Sequence, residues 1–357
     1  MKAIGDEKPR SREALVSKEF PELIHYTSIS ALRGILLSNT LWATRVTHLN
    51  DSTETELIWP RISPIVVDYY RTELKRLMLE NAKVRNFVND RGGLERIAES
   101  DGSRMVEILR SQMLGDDGRT TMAPLFVVSF STHSGQNDRD EYHRHHGMLS
   151  QWRGYCGDDG VAIVFDTIGV ENLMKIEYET FQHWPMTLAD VVYDSTELKL
   201  ESQFLDLMES FRDFVRQFIS MFVENRAEVP SPAELGITRV IEQIGVVVAR
   251  LKHGAFHEER ECRIVVGVTP ELTNPRESLG AQAEKLFKTI HYRSSRQGTI
   301  PYIRLFEGCG HDLPIKRIIV GPSRNQRAHL ETVVELTGGM GIKVTLSETP
   351  FVAAFSA

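Results

Sequence analysis

The run His257-Glu258-Glu259-Arg260-Glu261-Cys262-Arg263 stands immediately before an apolar segment that reads as a strand. On an extended backbone residues two apart face the same way, so Glu259 and Glu261 would lie side by side. Adjacent carboxylates shift each other's pKa and can divide positioning from activation. The plainer alternative is a salt-bridged strand edge in which Arg263 is the partner of Glu261. A second group is His25-Tyr26-Thr27-Ser28, at a strand-to-helix junction. A histidine there can leave the strand end and enter a cleft beside helix N–H groups that hold an anion. Alone, a histidine at a strand end is more often structural.

Other segments carry chemistry of their own. Ser129 and Ser131 share a face of an otherwise apolar strand, and buried hydroxyls need partners or a ligand. Gln151-Trp152-Arg153-Gly154-Tyr155 sets two aromatics and a cation in five residues. That suits a planar charged ligand, with stacked rings and an arginine clamp, or else a packing corner with Arg153 on Trp152. The polar run 132–147 holds His133, His143, His145 and His146 with Asp138, Asp140 and Glu141. It reads as a loop without a recognised ligand spacing, so no metal is expected, although His143 and His145 could share a strand face. The run 285–304 has five basic residues, Lys285, Lys288, Arg293, Arg296 and Arg304, and no acidic ones, with His291, Tyr292 and Tyr302 between them. It reads as a phosphate or nucleic-acid patch, or as a solvated basic face.

These residues need elements to position them. Residues 1–21 read as a mobile polar leader without a secretory signal. The pattern predicts a strand at ELIHYT, a helix at SISALRGILLSN capped by Ser28 or Ser30 and stopped at Asn39, and a strand at LWATR. Asp51 or Ser52 is placed to cap a helix at TETELIW, and helical periodicity runs over 61–112. LFVVSFS and VAIVFD read as buried strands, and CRIVVG, YIRLF, KRIIVG and IKVTL as strands later in the chain, with a helix near 325–336. Phe204, Met208, Phe211, Val215, Phe218 and Phe222 form a helical stripe within 201–226, which reads as core or as a homodimer surface. Ile241, Ile244, Val248 and Leu251 repeat the pattern, with Gly254 placed to end that helix.

Composition narrows the classes. The chain has 357 residues, a net charge of −7 and 41% hydrophobic residues, enough for a large core and unlike a nucleic-acid-coating protein. It has no apolar run of the roughly 18 residues that span a bilayer, so no membrane partner is expected. Three scattered cysteines fit a reducing cytoplasm and no zinc pattern. Length alone suggests about two domains, at about 150 residues each. Motifs nevertheless run without a clean linker, so 22–357 reads as a single α+β domain with helical insertions near 60–118 and 196–253.

The order of these motifs resembles the bacterial family called domain of unknown function 2971. The carriers are His25 to Ser28, Leu32 to Leu36, Leu41 to Thr44, Leu49 to Asp51 with Glu54, Trp152 with Tyr155, Gly160 to Phe165, Glu259-Arg260-Glu261 with Arg263, and Ile319 with Gly321. A looser resemblance joins HYTSISALRGILLSNTLWA to the first strand and helix of ADP-ribosyltransferase-like folds. His25, Ser129-Phe130-Ser131-Thr132 and Glu259-Arg260-Glu261 follow in the order of that group's motifs, although SFS stands where it has STS.

That resemblance implies mixed or antiparallel central sheets of ADP-ribosyltransferase-like type with large helical insertions. It implies NAD as co-substrate and a nucleic-acid or protein acceptor, in a toxin or phage-defence role. Glu261, Glu259 and His25 would be catalytic. His25, Tyr26, Thr27, Ser129, Ser131, Trp152, Arg153 and Tyr155 would bind the cofactor, with Arg153 on the pyrophosphate. The other readings are a nucleotide- or nucleic-acid-binding module without catalysis, and a metal-dependent hydrolase or nuclease using the His-rich run.

Overall fold

The computed structural model describes residues 13–49, 57–114, 124–135, 137–194, 200, 204–224, 237–268, 286–295 and 298–350. The chain divides into two compact units, Met1–His48 with Phe126–Val191 and Ala255–Ala357, and Leu49–Leu125 with Val192–Gly254.

The first unit is built on a mixed sheet of ten strands. In sequence order they are β1 (Glu22–Ser28), β2 (Leu41–Arg45), β3 (Leu125–Thr132), β4 (Gly160–Asp166), β5 (His183–Asp190), β8 (Glu261–Val268), β9 (His291–Ser295), β10 (Gly298–Leu305), β11 (Ile315–Val320) and β12 (Lys343–Leu346). Their order is β12-β11-β4-β1-β3-β2-β10-β9, with β8 joining β3 to β5 off this path. The named ladders are antiparallel except β11/β12. Fully buried strands read as unbroken apolar runs, which is why VAIVF and IVVGV carry the centre of the sheet.

Helix α1 (Glu13–Glu19) lies within the stretch read as a leader, and Val16 is buried in the sheet unit's core. Helix α2 (Ile29–Ser38) starts where Ser28 Oγ accepts the Ala31 N–H at 3.2 Å. It stops at Asn39, in the left-handed region at φ 52°, whose side chain donates to His311 O and accepts from Leu313 N. Leu32 and Ile35 are its buried face.

In the second unit, α3 (Trp59–Glu80), α4 (Ala82–Asp90), α5 (Leu94–Leu114) and the helices Leu205–Glu224 and Ile237–Arg250 share one apolar core. The stripe Phe204, Met208, Phe211 and Val215 is buried there, with Phe218 packed against it. Two details depart from the sequence reading. The second helix ends at Arg250 and not at Gly254, because Leu251–His253 (β7) pairs in parallel with Val192–Asp194 (β6). The first helix begins at Trp59, with Pro60 in its first turn, where a missing N–H costs nothing. Asp51, Ser52 and Glu54 lie outside the described residues. No described helix is long and apolar enough to cross a membrane.

Candidate functional site

The β1/β3 ladder is short: Leu23 faces Thr132 and Ile24 faces Ser131. Beyond it the imidazole of His25 donates from Nδ1 to the Ser129 carbonyl at 3.0 Å, so a side chain bridges the two strands. A carbonyl only accepts, so Nδ1 carries the proton and Nε2 is left as an acceptor. Burial, and then Arg293, push the pKa of His25 down despite the Ser129 bond, so the ring is neutral. Alternation puts Thr27 on the same face as His25. Ser129 and Ser131 share the other face with Ile24 and Tyr26, so His25 meets the Ser129 carbonyl and not a serine hydroxyl.

Three further strands carry a group on the face that Ser129 and Ser131 occupy, since Thr44 pairs with Val127. Tyr302 pairs with Thr44, Arg304 with Trp42 and Tyr302 with His291, so these side chains and Arg293 stand on one face of β2, β10 and β9. Leu41, Ala43, Ile303 and Leu305 fill the core on the other face. Trp42 stacks on Tyr302 at 4.6 Å between ring centroids. The Arg293 guanidinium lies 5.8 Å from each ring and donates to Thr44 Oγ1 at 3.0 Å. Trp42 and Thr44 belong to the LWAT carrier of the family resemblance but were not expected in a site; the signal was the alternation in LWATR, whose small and apolar partners face inward.

The basic run is not one surface. Lys288 is buried, ion-paired to Glu177 at 2.8 Å and bonded to the carbonyls of Arg304 and Glu307. Glu177 also meets His183, the Phe306 N–H and the Cys309 thiol. Burial raises the Glu177 carboxyl, but His183 and Lys288 outweigh it and lower the pKa. An ammonium enclosed at 3.6 Å over Phe181 is a structural charge and not a phosphate ligand. Arg304 is tied to Glu307 at 3.0 Å. Lys285 and Arg296 lie outside the described residues.

The carboxylates are parted. A short 3₁₀ segment, Gly254–Glu259, meets β8 through Arg260, which is left-handed at φ 46°. That turn breaks the alternation, so Glu259 and Glu261 do not share a strand face. Glu259 is half-buried and accepts from Tyr155 Oη at 3.1 Å. Glu261 is buried and takes Arg263 through both oxygens, at 2.6 and 3.1 Å. His25 and this corner are both anchored on β3. His25 bonds Ser129, and the Arg260 carbonyl accepts from Thr132 N and Oγ1. Three residues of strand are about 10 Å.

Tyr26 and Trp152 pack edge to face at 4.9 Å in a separate small core with Cys156 and Ile319. Tyr26 Oη accepts the Met148 N–H, and Trp152 donates to His146 O. Trp152 fills space that only glycine leaves: a Cβ on Gly147 or Gly321 would come within 2.6 or 2.8 Å of its ring. Both rings are thus enclosed by protein. The turn Leu149–Gln151 widens into a π-type segment, Trp152–Cys156, which turns Arg153 and Tyr155 to the exposed side.

The His-rich run is also not a loop. Asn137 caps α6 (Asp138–His146) by accepting the Asp140 N–H, with acids in its first turn and bases in its last, as the helix dipole favours. Helical spacing aligns Asp140 with His143, three apart, where a strand would have aligned His143 with His145. His133, just past β3, completes a group in which one ligating atom from each residue lies within 4.8 Å of the others. Burial, then His143 and Arg260, take His133 down to about 3. Asp140 accepts from Ser134 at 2.9 Å and pairs with Arg260.

Residues 151–264 match the sequence model of the family described as protein of unknown function, DUF2971. The match begins at the Trp152 segment, runs through β4 and ends within β8, and it supports the resemblance seen in the order of motifs. It includes the DUF2971 carriers Trp152, Tyr155, Gly160 to Phe165 and Glu259 to Arg263. No curated protein and no solved structure matches the chain.

Proposed function

We propose that the chain is an NAD-dependent ADP-ribosyltransferase-like enzyme that passes ADP-ribose to a nucleic-acid or protein acceptor. The observation that carries this reading is the interrupted β1/β3 ladder, where neutral His25 bridges to Ser129 within the field of Arg293, and where the pairing of Thr44 with Val127 puts Arg293 and the Trp42–Tyr302 stack on the Ser129 side of the sheet. A dinucleotide needs those groups: an imidazole acceptor for a ribose hydroxyl, a fixed guanidinium for the pyrophosphate and an aromatic surface for a base. In this reading Arg293 takes the phosphate role that the sequence suggested for Arg153.

In the reaction the anomeric C–N bond breaks, nicotinamide leaves with the electron pair, and an acceptor oxygen or nitrogen bonds the same carbon. Developing positive charge on the ribose is stabilised by a carboxylate. Glu261 supplies it by exchanging one of its two Arg263 bonds for a ribose hydroxyl. Glu259, released from Tyr155, takes the acceptor proton.

A second reading, a nucleotide- or nucleic-acid-binding module without turnover, is favoured by one observation: both Glu261 oxygens are already engaged. Nicotinamide release and equilibrium NAD binding on the purified chain distinguish the two. The transferase predicts release that falls roughly 100-fold or more in Glu261→Gln with binding retained. Binding without release leaves the module. Absence of NAD binding, or release unchanged in Glu261→Gln, sinks the transferase.

A further inference from the structure

We propose that His133, Asp140 and His143 form a binding site for one divalent transition metal ion, of the zinc or cobalt kind. Histidine normally satisfies one donor and one acceptor nitrogen when enclosed. Here His133 is 1% exposed and neither ring nitrogen has a partner among the described residues; His143 Nδ1 is in the same position. The two rings lie 5.2 Å apart between centroids and converge on a carboxylate that is itself 2% exposed. Three ligating atoms within 4.8 Å of one another need only small rotations to meet an ion at bond lengths near 2.0–2.2 Å.

The donor set selects the ion. Two imidazole nitrogens and one carboxylate oxygen suit first-row transition metals, whereas magnesium and calcium prefer oxygen alone. Asp140 keeps a lone pair for the ion although Ser134 and Arg260 hold it, because each carboxylate oxygen accepts twice. Such partners orient a ligating carboxylate. Gly135, at φ 71°, makes the turn that brings α6 back over the end of β3. Three protein ligands leave at least one coordination position open, the count of a reactive site more than of a structural one.

The site stands apart from the NAD reading, and its test uses no nucleotide. The chelator-stripped full chain is titrated with Co²⁺ and followed by its visible d–d absorption. Zn²⁺ stoichiometry is measured by elemental analysis after desalting. One equivalent is expected. His143→Ala, on a half-exposed helix position, weakens binding by roughly 100-fold or more, as does His133→Asn. His145→Ala, outside the ligand group and paired to Glu141 on the exposed side, binds as the unaltered chain does. Saturating Zn²⁺ raises Tm by about 5 °C and Mg²⁺ does not. If His133→Asn fails to fold, His143→Ala decides. No bound metal, or equal binding by His143→Ala, overturns the site.

Discussion

In the helical unit the buried polar side chains, among the described residues, are Ser210, Arg250 and Lys252. The sheet unit encloses Glu22, His133, Asp140, Glu177, His183, Glu261, Arg263 and Lys288. The helical unit is held by apolar faces such as Phe211, Phe214 and Val215. Its energetics follow area removed from water, with no direction attached. The sheet unit pairs most of its enclosed charges: Glu22 with Arg317 and Lys316, Glu177 with Lys288, Glu261 with Arg263. Ionisable groups held in fixed geometry are the raw material of binding and catalysis, so candidate chemistry concentrates in the sheet unit. The pairs also differ from the His133 group, which among the described residues has unpartnered nitrogens where the others have counter-ions.

Substitution by methionine in both units tests the contrast most strongly. Lys288→Met conserves volume but takes the ammonium from the buried Glu177 carboxylate, and is expected to cost about 3–5 kcal/mol. Phe211→Met in the helical core is expected to cost less than about 1.5 kcal/mol. Urea unfolding of the two variants measures both, and equal losses would break the comparison.

Acid should act on the sheet unit through Glu22. Burial alone would raise its carboxyl, but Arg317 and Lys316 hold it at about 2, below the ordinary 4.5. A depressed folded pKa means stability that is full above 4.5 and is lost as pH falls through 2. The contribution at neutral pH is about 3 kcal/mol. Glu22→Gln should remove that part of the acid dependence, seen as a flatter unfolding free energy between pH 5 and pH 2, by roughly that amount. An unchanged slope would mean the pairs contribute nothing.

The smallest effect concerns packing within the sheet unit. A Cβ on Gly321 would lie 2.8 Å from the Trp152 ring and 2.9 Å from the Gly160 carbonyl, which is backbone and cannot swing away. Gly321→Ala is expected to cost about 1–3 kcal/mol in thermal or urea unfolding. A neutral result would show the Trp152 pocket to be looser than the helical core.

Much of the fold could be read from the chain because its signals are local. Ser28 caps α2 three residues before a donor it can reach, and VAIVF has the uninterrupted apolar character of a strand covered on both faces. The run 132–147 was misread as a loop because charge and histidine content outweighed the Asn137 cap and the acid-first, base-last order of a helix. Glu259 and Glu261 seemed neighbours because alternation assumes continuous extension, and Arg260 turns instead.

The sequence by itself determined the element types, the apolar faces and the residues able to do chemistry, since these follow from side-chain type and spacing along one segment. Tertiary structure alone decided their company: His25 with Ser129 and Arg293, Lys288 with Glu177, and His133 with Asp140 and His143. The physical reason is that an ionisable side chain acquires its role from its burial and partners. Those partners come from strands and helices far apart in the chain, whose meeting no local pattern records.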